Sequence, residues 1–244
     1  AAALRANRCD IFTDVDGIYT ADPRLVPGAR RLERIDYDEM LELASLGARV
    51  MQSRAVEIAK RFGVPFRVRP SQKDSEGTLV TEIQDVEQVD VRGAALETDE
   101  AKVTIRDVPD QPGVAATIFG TIASQKVNVD VIVQNVSAEG TTDLSFTVPD
   151  SDLKAARQAA EDLTRQIGAG AVDVDEKVAK VSIVGVGMKG HTGVAEKMFQ
   201  ALADNKVNIQ MISTSEIKIS VVVDVDCGEK ALRAVHDAFA LGEG

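Results

Sequence analysis

The densest run of polar side chains in the sequence is Thr13-Asp14-Val15-Asp16-Gly17-Ile18-Tyr19-Thr20-Ala21-Asp22-Pro23-Arg24. It follows a short apolar strand signal, Asp10–Thr13, so it leaves the carboxyl end of a strand, where open α/β sheets place their ligands. Thr and Asp can hold ribose hydroxyls or adenine edges, Tyr can stack, and Arg can meet phosphate. The same residues also suit a structured turn, because Asp and Gly satisfy turn backbone geometry. On composition alone both readings stand.

A second set is Asp110-Gln111-Pro112-Gly113-Val114-Ala115, a strand-to-helix turn. Backbone N–H groups at a helix start attract a carboxylate, and Asp110 can neutralise an ammonium group, so the turn suits both charged ends of an amino acid. Asn128, Asp130 and Gln134 lie at even spacing on the strand expected next and would share one face. A related turn, Gly190-His191-Thr192-Gly193-Val194-Ala195, is followed by Asn208, Ile209 and Gln210. It has no counterpart of Asp110; Met188, Lys189 and His191 stand nearby instead. These turns read equally well as solvated loops. His191 fits a ligand contact or an exposed loop residue, and His236 a packing or surface position. Cys9 and Cys227 read as core or strand-end thiols. Asp36, Asp38, Glu39 and Glu42 sit at a helix start, where negative charge suits the dipole.

The elements that position these residues come from a duplication. Ala101-Lys102-Val103-Thr104-Ile105 recurs as Ala179-Lys180-Val181-Ser182-Ile183, Pro112-Gly113-Val114-Ala115 as Thr192-Gly193-Val194-Ala195, and Lys126-Val127-Asn128-Val129 as Lys206-Val207-Asn208-Ile209. Three ordered matches at nearly one spacing define two copies of a module. Each copy reads as a strand (Lys102–Val108; Lys180–Val186), a glycine turn, a helix, and a second strand from Val127 or Val207. A third strand (Asp143–Val148; Ile217–Val225) and a second helix (Leu153–Ile167; Glu229–Leu241) follow. A ferredoxin-like unit needs one strand more. Ala171–Val174 supplies it for the first copy. The spare strand Val91–Glu97 completes the second, which makes the first copy an insertion in the second.

The leading region alternates strand and helix, as in an α/β sandwich: Asp10–Thr13, helices Tyr37–Leu46 and Val50–Phe62, and a strand Val64–Val68. The second helix carries Val50, Met51, Ala55, Ile58, Ala59 and Phe62 on one apolar face. Ala1 to Arg8 reads as the end of a helix, and Ala1 is not expected to be the natural start. The 244 residues carry 28 Lys+Arg against 39 Asp+Glu, a formal charge of −11. That balance argues against a nucleic-acid groove or an anionic membrane surface, and no apolar run approaches the roughly 18 residues of a membrane span. Two cysteines and two histidines exclude a disulfide framework and a histidine-rich metal centre.

The polar segment Thr13–Arg24 closely resembles the nucleotide-binding stretch of aspartate kinases, members of the amino-acid kinase family. Glu39-Met40-Leu41-Glu42-Leu43-Ala44-Ser45-Leu46-Gly47-Ala48-Arg49-Val50 is similar to the same enzymes. The duplicated modules resemble paired ACT domains, marked by Gln134-Asn135-Val136-Ser137, Gly140-Thr141-Thr142-Asp143 and Ser213-Thr214-Ser215-Glu216-Ile217. The resemblance implies an α/β (α+β) fold: the C-terminal part of an amino-acid kinase sandwich over residues 1–85, then two ferredoxin-like βαββαβ ACT domains. These would be residues 99–176, and 88–98 with 177–244.

It implies adenine and ribose contacts from Thr13, Asp14 and Tyr19, and phosphate-side contacts from Thr20, Ala21, Asp22, Pro23 and Arg24. It implies lysine and threonine as feedback effectors, with contacts at Asp110, Gln111, Pro112, Gly113, Val114, Ala115, Asn128, Val129, Asp130, Gln134, Val194, Ala195, Ile209, Gln210, Glu216 and Ile217. The implied reaction is ATP-dependent phosphorylation of L-aspartate to 4-phospho-L-aspartate, the first step of lysine, threonine and methionine synthesis. ATP would be used as its Mg complex, with no tightly bound cofactor and no metal held by this chain. The setting would be cytoplasmic, and the assembly a homodimer through the ACT domains. The lysine- and glycine-rich phosphate loop and the aspartate-binding residues of the family are not among these 244 residues. The resemblance therefore implies the C-terminal portion of such an enzyme, with no catalytic residue in this chain and no activity alone. The alternative is a non-catalytic, amino-acid-binding regulatory subunit.

Overall fold

The computed structural model describes residues 1–46, 51–83, 91–135, 140–186, 188 and 192–243. They form two compact units, one of Ala1–Glu97, Val181–Val221 and Cys227–Gly244, the other of Thr98–Lys180 and Val222–Asp226.

The first unit opens with a four-stranded sheet of β1 (Cys9–Thr13), β2 (Arg34–Ile35), β3 (Phe66–Pro70) and β4 (Thr78–Val80), in the order β1-β3-β4-β2. β1 runs parallel to β3, with Thr13 beside Pro70, and β3 runs antiparallel to β4. Ala1 to Arg8, expected as a helix end, are turns instead, because Arg5 takes a left-handed backbone with φ 50.

α1 (Tyr37–Ser45) starts where the sequence places it, since Asp36 Oδ1 accepts the Asp38 N–H at 2.8 Å and Glu39 Oε2 accepts the Asp36 N–H at 3.2 Å. α2 (Ser53–Arg61) begins after Gln52; Val50, the expected start, lies outside the described residues. Its expected apolar stripe holds only in part. Met51 and Ala59 of that face do pack against the core, but Ile58 and Phe62 are exposed and Val56, outside the expected face, is the buried residue of the helix. The core collects Ile18, Ile35, Met40, Leu43, Val56, Phe66, Val68 and Val184.

The same unit holds α5 (Val194–Asp204), β9 (Met211–Thr214) and α6 (Gly228–Ala238), together with the first part of β10 (Lys218–Asp224). It also includes one end each of β5 (Gly93–Pro109) and β8 (Val172–Val184). Sheet neighbours here run β5-β8-β10-β9, and Arg92 donates its N–H to the Val184 carbonyl at 2.8 Å.

In the second unit the strand order is β6-β7-β5-β8, with β6 at Ile132–Gln134 and β7 at Thr141–Pro149. α3 (Val114–Ser124) and α4 (Leu153–Ile167) cover the sheet. Ile105, Ile118, Ile122, Leu144, Phe146 and Leu163 fill the space between, and Phe119 meets Phe146 edge-on at 5.9 Å.

Two strand expectations need correction. The expected strands Val91–Glu97 and Lys102–Val108 are not separate: Gly93–Glu97 and Lys102–Val108 lie in one strand, β5, and Val172–Val174 joins Lys180–Val184 in β8. The joining stretches, Thr98-Asp99-Glu100-Ala101 and Asp175-Glu176-Lys177, contain no glycine or proline to break the extended chain. The strands expected from Val127 and Val207 begin only at Ile132 and Met211. Just past the preceding helices, Lys126 and Lys206 are left-handed at φ 60 and 55, and the next residues, Val127 and Val207, turn into the core first.

The second unit contains a buried ion pair. Lys180 Nζ, 3% exposed, donates to Glu100 Oε1 at 2.5 Å and also contacts the Asp130 carboxylate. Replacing Lys180 by Met leaves Glu100 and Asp130 without that ammonium, which is expected to cost about 3–5 kcal/mol of stability. Urea unfolding of the variant beside the wild type measures it.

Candidate functional site: the segment after β1 and the module turns

The polar segment leaves β1 at the carboxyl end of a parallel pair. Thr13 Oγ1 closes a local turn, accepting the Val15 N–H at 3.0 Å and donating to the Val15 carbonyl at 3.1 Å. Gly17 has φ 146, and a Cβ there would lie 2.6 Å from Thr78 Oγ1, so only glycine fits. That hydroxyl holds the turn, donating to the Leu32 carbonyl at 2.6 Å and accepting the Ile18 N–H at 2.9 Å. Asp14 is exposed, and Tyr19 is half-buried and bridges to Arg31.

Thr20 and Ala21 are buried. Thr20 Oγ1 lies 3.0 Å from His236 Nε2 and accepts the Arg30 N–H at 3.1 Å. The pair that faces outward is Asp22 and Arg24. Arg24 donates Nε to Asp22 Oδ1 at 3.0 Å and Nη2 to Oδ2 at 2.6 Å, in a two-pronged fork, while Pro23 between them is exposed. The fork holds the Asp22 carboxyl below, and the Arg24 guanidinium above, their ordinary ranges. Lys73 Nζ pairs with Asp16 at 2.7 Å, and Arg31 Nη1 donates to Ser75 Oγ at 2.8 Å, bringing two more cations to the segment.

The module turns are built alike. Gly113 and Gly193 precede α3 and α5 with φ 95 and 102, a backbone that suits glycine and allows the same sharp entry. Asp110, Gln111 and Pro112 are exposed or half-exposed, and the Asp110 N–H is taken by the Gly140 carbonyl at 2.9 Å. Val114 is half-buried and Ala115 exposed. Asn128, Val129 and Asp130 precede β6 rather than lying in it, so the strand does not impose their expected common face. The Asn128 N–H goes to Asp152 Oδ2 at 3.1 Å, and the Asp130 carboxylate is engaged by Lys180; Gln134 is exposed on β6.

In the other unit, Val194, Ala195, Ile209 and Gln210 are half-buried. Ile217 gives its carbonyl to the Gly185 N–H at 3.0 Å, beside exposed Glu216. Val136, Ser137, Lys189, Gly190 and His191 lie outside the described residues.

Sequence reasoning gave no role to two buried polar groups of the first unit. His236 is 1% exposed and contacts Thr20, and burial lowers its pKa. Its place four residues after Leu232 on α6 marks the buried stripe and was a readable signal. Glu39 is 2% exposed; its Oε1 accepts the Val186 N–H at 2.9 Å, and burial raises its pKa against the pull of two backbone donors. Among the described residues no cluster of His, Cys, Asp and Glu could hold a metal, and no helix is long and apolar enough to cross a membrane.

Comparison with known proteins places these observations in a family. Residues 1–70 match the amino acid kinase family, and residues 106–163 and 181–239 each match the ACT domain. Aspartate kinase from Pseudomonas putida is 55% identical over 99% of this chain, which spans 59% of that relative's length. A crystal structure of aspartokinase alpha and beta subunits is 48% identical, with a TM-score of 0.58 over 62% of this chain and 99% of the other. E. coli aspartokinase III with aspartate and ADP superposes with a TM-score of 0.80 at 28% identity, over 97% of this chain and 53% of that one. The same enzyme with lysine and aspartate gives 0.75 at 28%, over 98% and 53%. The fold is thus of mixed α and β type, with a kinase-derived part and two ACT domains. The chain belongs to the aspartate kinase family.

Two outcomes follow for the buried polar groups. His236 has an ordinary pKa near 6.5 when unfolded and a lower one in the fold. Below about 6.5 the unfolded chain takes up the proton first, so stability, full above that pH, is lost as pH falls through the lowered value. His236→Gln is expected to remove this fall, whose slope is at most about 1.4 kcal/mol per pH unit for one proton; unfolding free energies at pH 5.5 and 7.5 test it. Glu39→Ala strands two backbone donors and is expected to cost about 2–4 kcal/mol. Glu39→Gln, which keeps one acceptor, should lose less in the same titration.

Proposed function

We propose that this chain is the nucleotide-contacting and regulatory portion of an aspartate kinase, which transfers the γ-phosphoryl of ATP to L-aspartate. The observation that carries the reading is the forked, outward-facing Asp22–Arg24 pair on the segment leaving the carboxyl end of β1, in a chain of this family. Phosphoryl transfer rests on positioning and charge neutralisation, and a guanidinium held by a carboxylate is a pre-aimed phosphate contact. On this reading Thr13, Asp14 and Tyr19 meet the nucleoside. Thr20 and Ala21 act through backbone position, and Asp22, Pro23 and Arg24 lie along the phosphates of Mg-bound ATP.

The ACT domains, assigned to residues 99–176 and to 88–98 with 177–244, would bind lysine, threonine or both at the turns that open α3 and α5 and on the strands that follow. The strand orders β6-β7-β5-β8 and β5-β8-β10-β9 support that division. The lysine complex of the E. coli enzyme supports an amino-acid effector. A cytoplasmic homodimer joined through ACT domains completes the reading. A regulatory subunit without kinase activity is the second reading, favoured by the coverage of the alpha and beta subunit structure, which takes in 62% of this chain. The match of residues 1–70 to the amino acid kinase family favours the first.

Both are tested by titrating the purified polypeptide, as its gene encodes it, with L-lysine, L-threonine and ATP in a calorimeter, and by following aspartate-dependent ADP release. The expected result is saturable binding of ATP and of at least one amino acid, with ADP release suppressed by that amino acid. Amino-acid binding with no ADP release would leave the regulatory-subunit reading. No amino-acid binding would sink the effector assignment.

A further inference from the structure

The helix that ends the second ACT match grips the polar segment on both sides of the Asp22–Arg24 fork. Before the fork stands Thr20, bonded at every polar atom. Its N–H goes to the Arg30 carbonyl at 2.9 Å, its carbonyl accepts the Ala94 N–H at 2.7 Å, and its hydroxyl accepts the Arg30 N–H at 3.1 Å. The hydroxyl still has a proton to give and a second lone pair, and the group within reach of it is His236 Nε2, at 3.0 Å. After the fork, Arg233 Nε donates to the Leu25 carbonyl at 2.8 Å, one helical turn before His236. Beyond the helix, Gly242 packs so closely on Gly28 that an added Cβ would lie 2.7 Å from the Gly28 carbonyl oxygen. Residues 233–242 therefore touch the segment at Thr20, Leu25 and Gly28.

We propose that His236 is a positioning residue for nucleotide binding, fixing through the Thr20 hydroxyl the segment that presents Asp22 and Arg24. The proposal rests on the nucleotide reading of that segment. His236 itself touches no ligand in this scheme. It sets the backbone two residues before Asp22, and the segment's other anchor, Arg233, sets the backbone one residue after Arg24.

The test uses the polypeptide as its gene encodes it, with steady-state kinetics and a melting curve for each variant. His236→Leu and Thr20→Val each remove one side of the hydrogen bond, and each is expected to raise KM for ATP about fivefold, the effect of one buried hydrogen bond. Their double variant should be no worse than either single change, since both break the same link. His236→Gln, which keeps a polar atom in reach of Thr20, should return to within about twofold of the wild type. KM for L-aspartate should stay unchanged in all of them, which a general loss of folding would not allow. Additive effects, or an unchanged KM for ATP in a folded His236→Leu, overturn the proposal.

Should His236→Leu fail to fold, Arg233→Ala decides in its place. That side chain is 52% exposed, so the core survives. A two- to threefold rise in KM for ATP is expected, on the scale of a partly exposed hydrogen bond, and no change would overturn the gripping of the segment by this helix. A wild-type polypeptide that fails to bind ATP sinks the nucleotide reading itself. Wild-type ATP binding indifferent to every variant sinks only the role of His236.

Discussion

One carboxylate organises the first unit. Glu39, 2% exposed, accepts backbone N–H groups with both oxygens, one from Asp36 at the start of its own helix and one from Val186, 147 residues away. An ionised carboxylate taken out of water costs several kcal/mol unless its lone pairs are matched. The residual penalty shows in its raised pKa. The cost is tolerable only while the two donors converge on it, so the start of α1 and the end of β8 are fixed to one point. Around that point the remaining long-range links fall into place: Arg92 to the Val184 carbonyl, Lys218 to Glu42 at 2.9 Å, and Thr20 to His236. The kinase-derived part and most of the second ACT match thus lie in one compact unit.

The duplication explains why so much of the ACT architecture could be read without coordinates. Each copy repeats its strand, glycine, helix and Lys-Val-Asn signal, and the structure repeats the local physics. Gly113 and Gly193 share a left-handed conformation, and Lys126 and Lys206 share another at the ends of α3 and α5. A non-glycine residue at positive φ costs roughly 1 kcal/mol, and finding it at both copies shows that the two turns follow one path. α4 occupies Leu153–Ile167, the range its apolar spacing gives, ending on Gly168 in the left-handed C-cap conformation. The need of each module for one more strand was also legible, as counting. What counting missed was continuity. β5 and β8 run on through Thr98–Ala101 and Asp175–Lys177 because polar residues there resist no extended backbone, and a change of burial does not end a strand.

The site was legible in type and less so in orientation. The candidate segment Thr13–Arg24 stands out by its polarity and its exit from a strand, and the structure adds that Asp22 and Arg24 face outward. Thr20 reads in the sequence as one more hydroxyl available to a ligand, yet it is wholly buried against His236. No local rule pairs residues 216 positions apart; only the packing of α6 does. The same limit applies to Asp130, whose carboxylate is engaged by Lys180, a residue the repeat pattern marks as a strand position and nothing more. The exposed Ala55-Ile58-Phe62 stripe of α2 shows the converse: helical periodicity finds two candidate faces, and burial of Val56 selects between them.

The Asp22–Arg24 fork does little for stability. The arginine side chain is 86% exposed, and exposed ion pairs contribute about 0–1 kcal/mol once side-chain entropy and screening are counted. Its effect is geometric. On the proposed nucleotide reading, a free arginine would give up rotamer freedom on meeting a phosphate, which weakens binding; two bonds to Asp22 have already restricted Arg24. The restriction matters only if the backbone carrying both residues is itself fixed. Asp22 helps, because its carbonyl accepts the N–H groups of Leu25 and Val26. The anchors at Thr20 and Leu25 complete it from α6, so on the proposed reading the aim of one exposed guanidinium rests on a buried histidine near the end of the second ACT match.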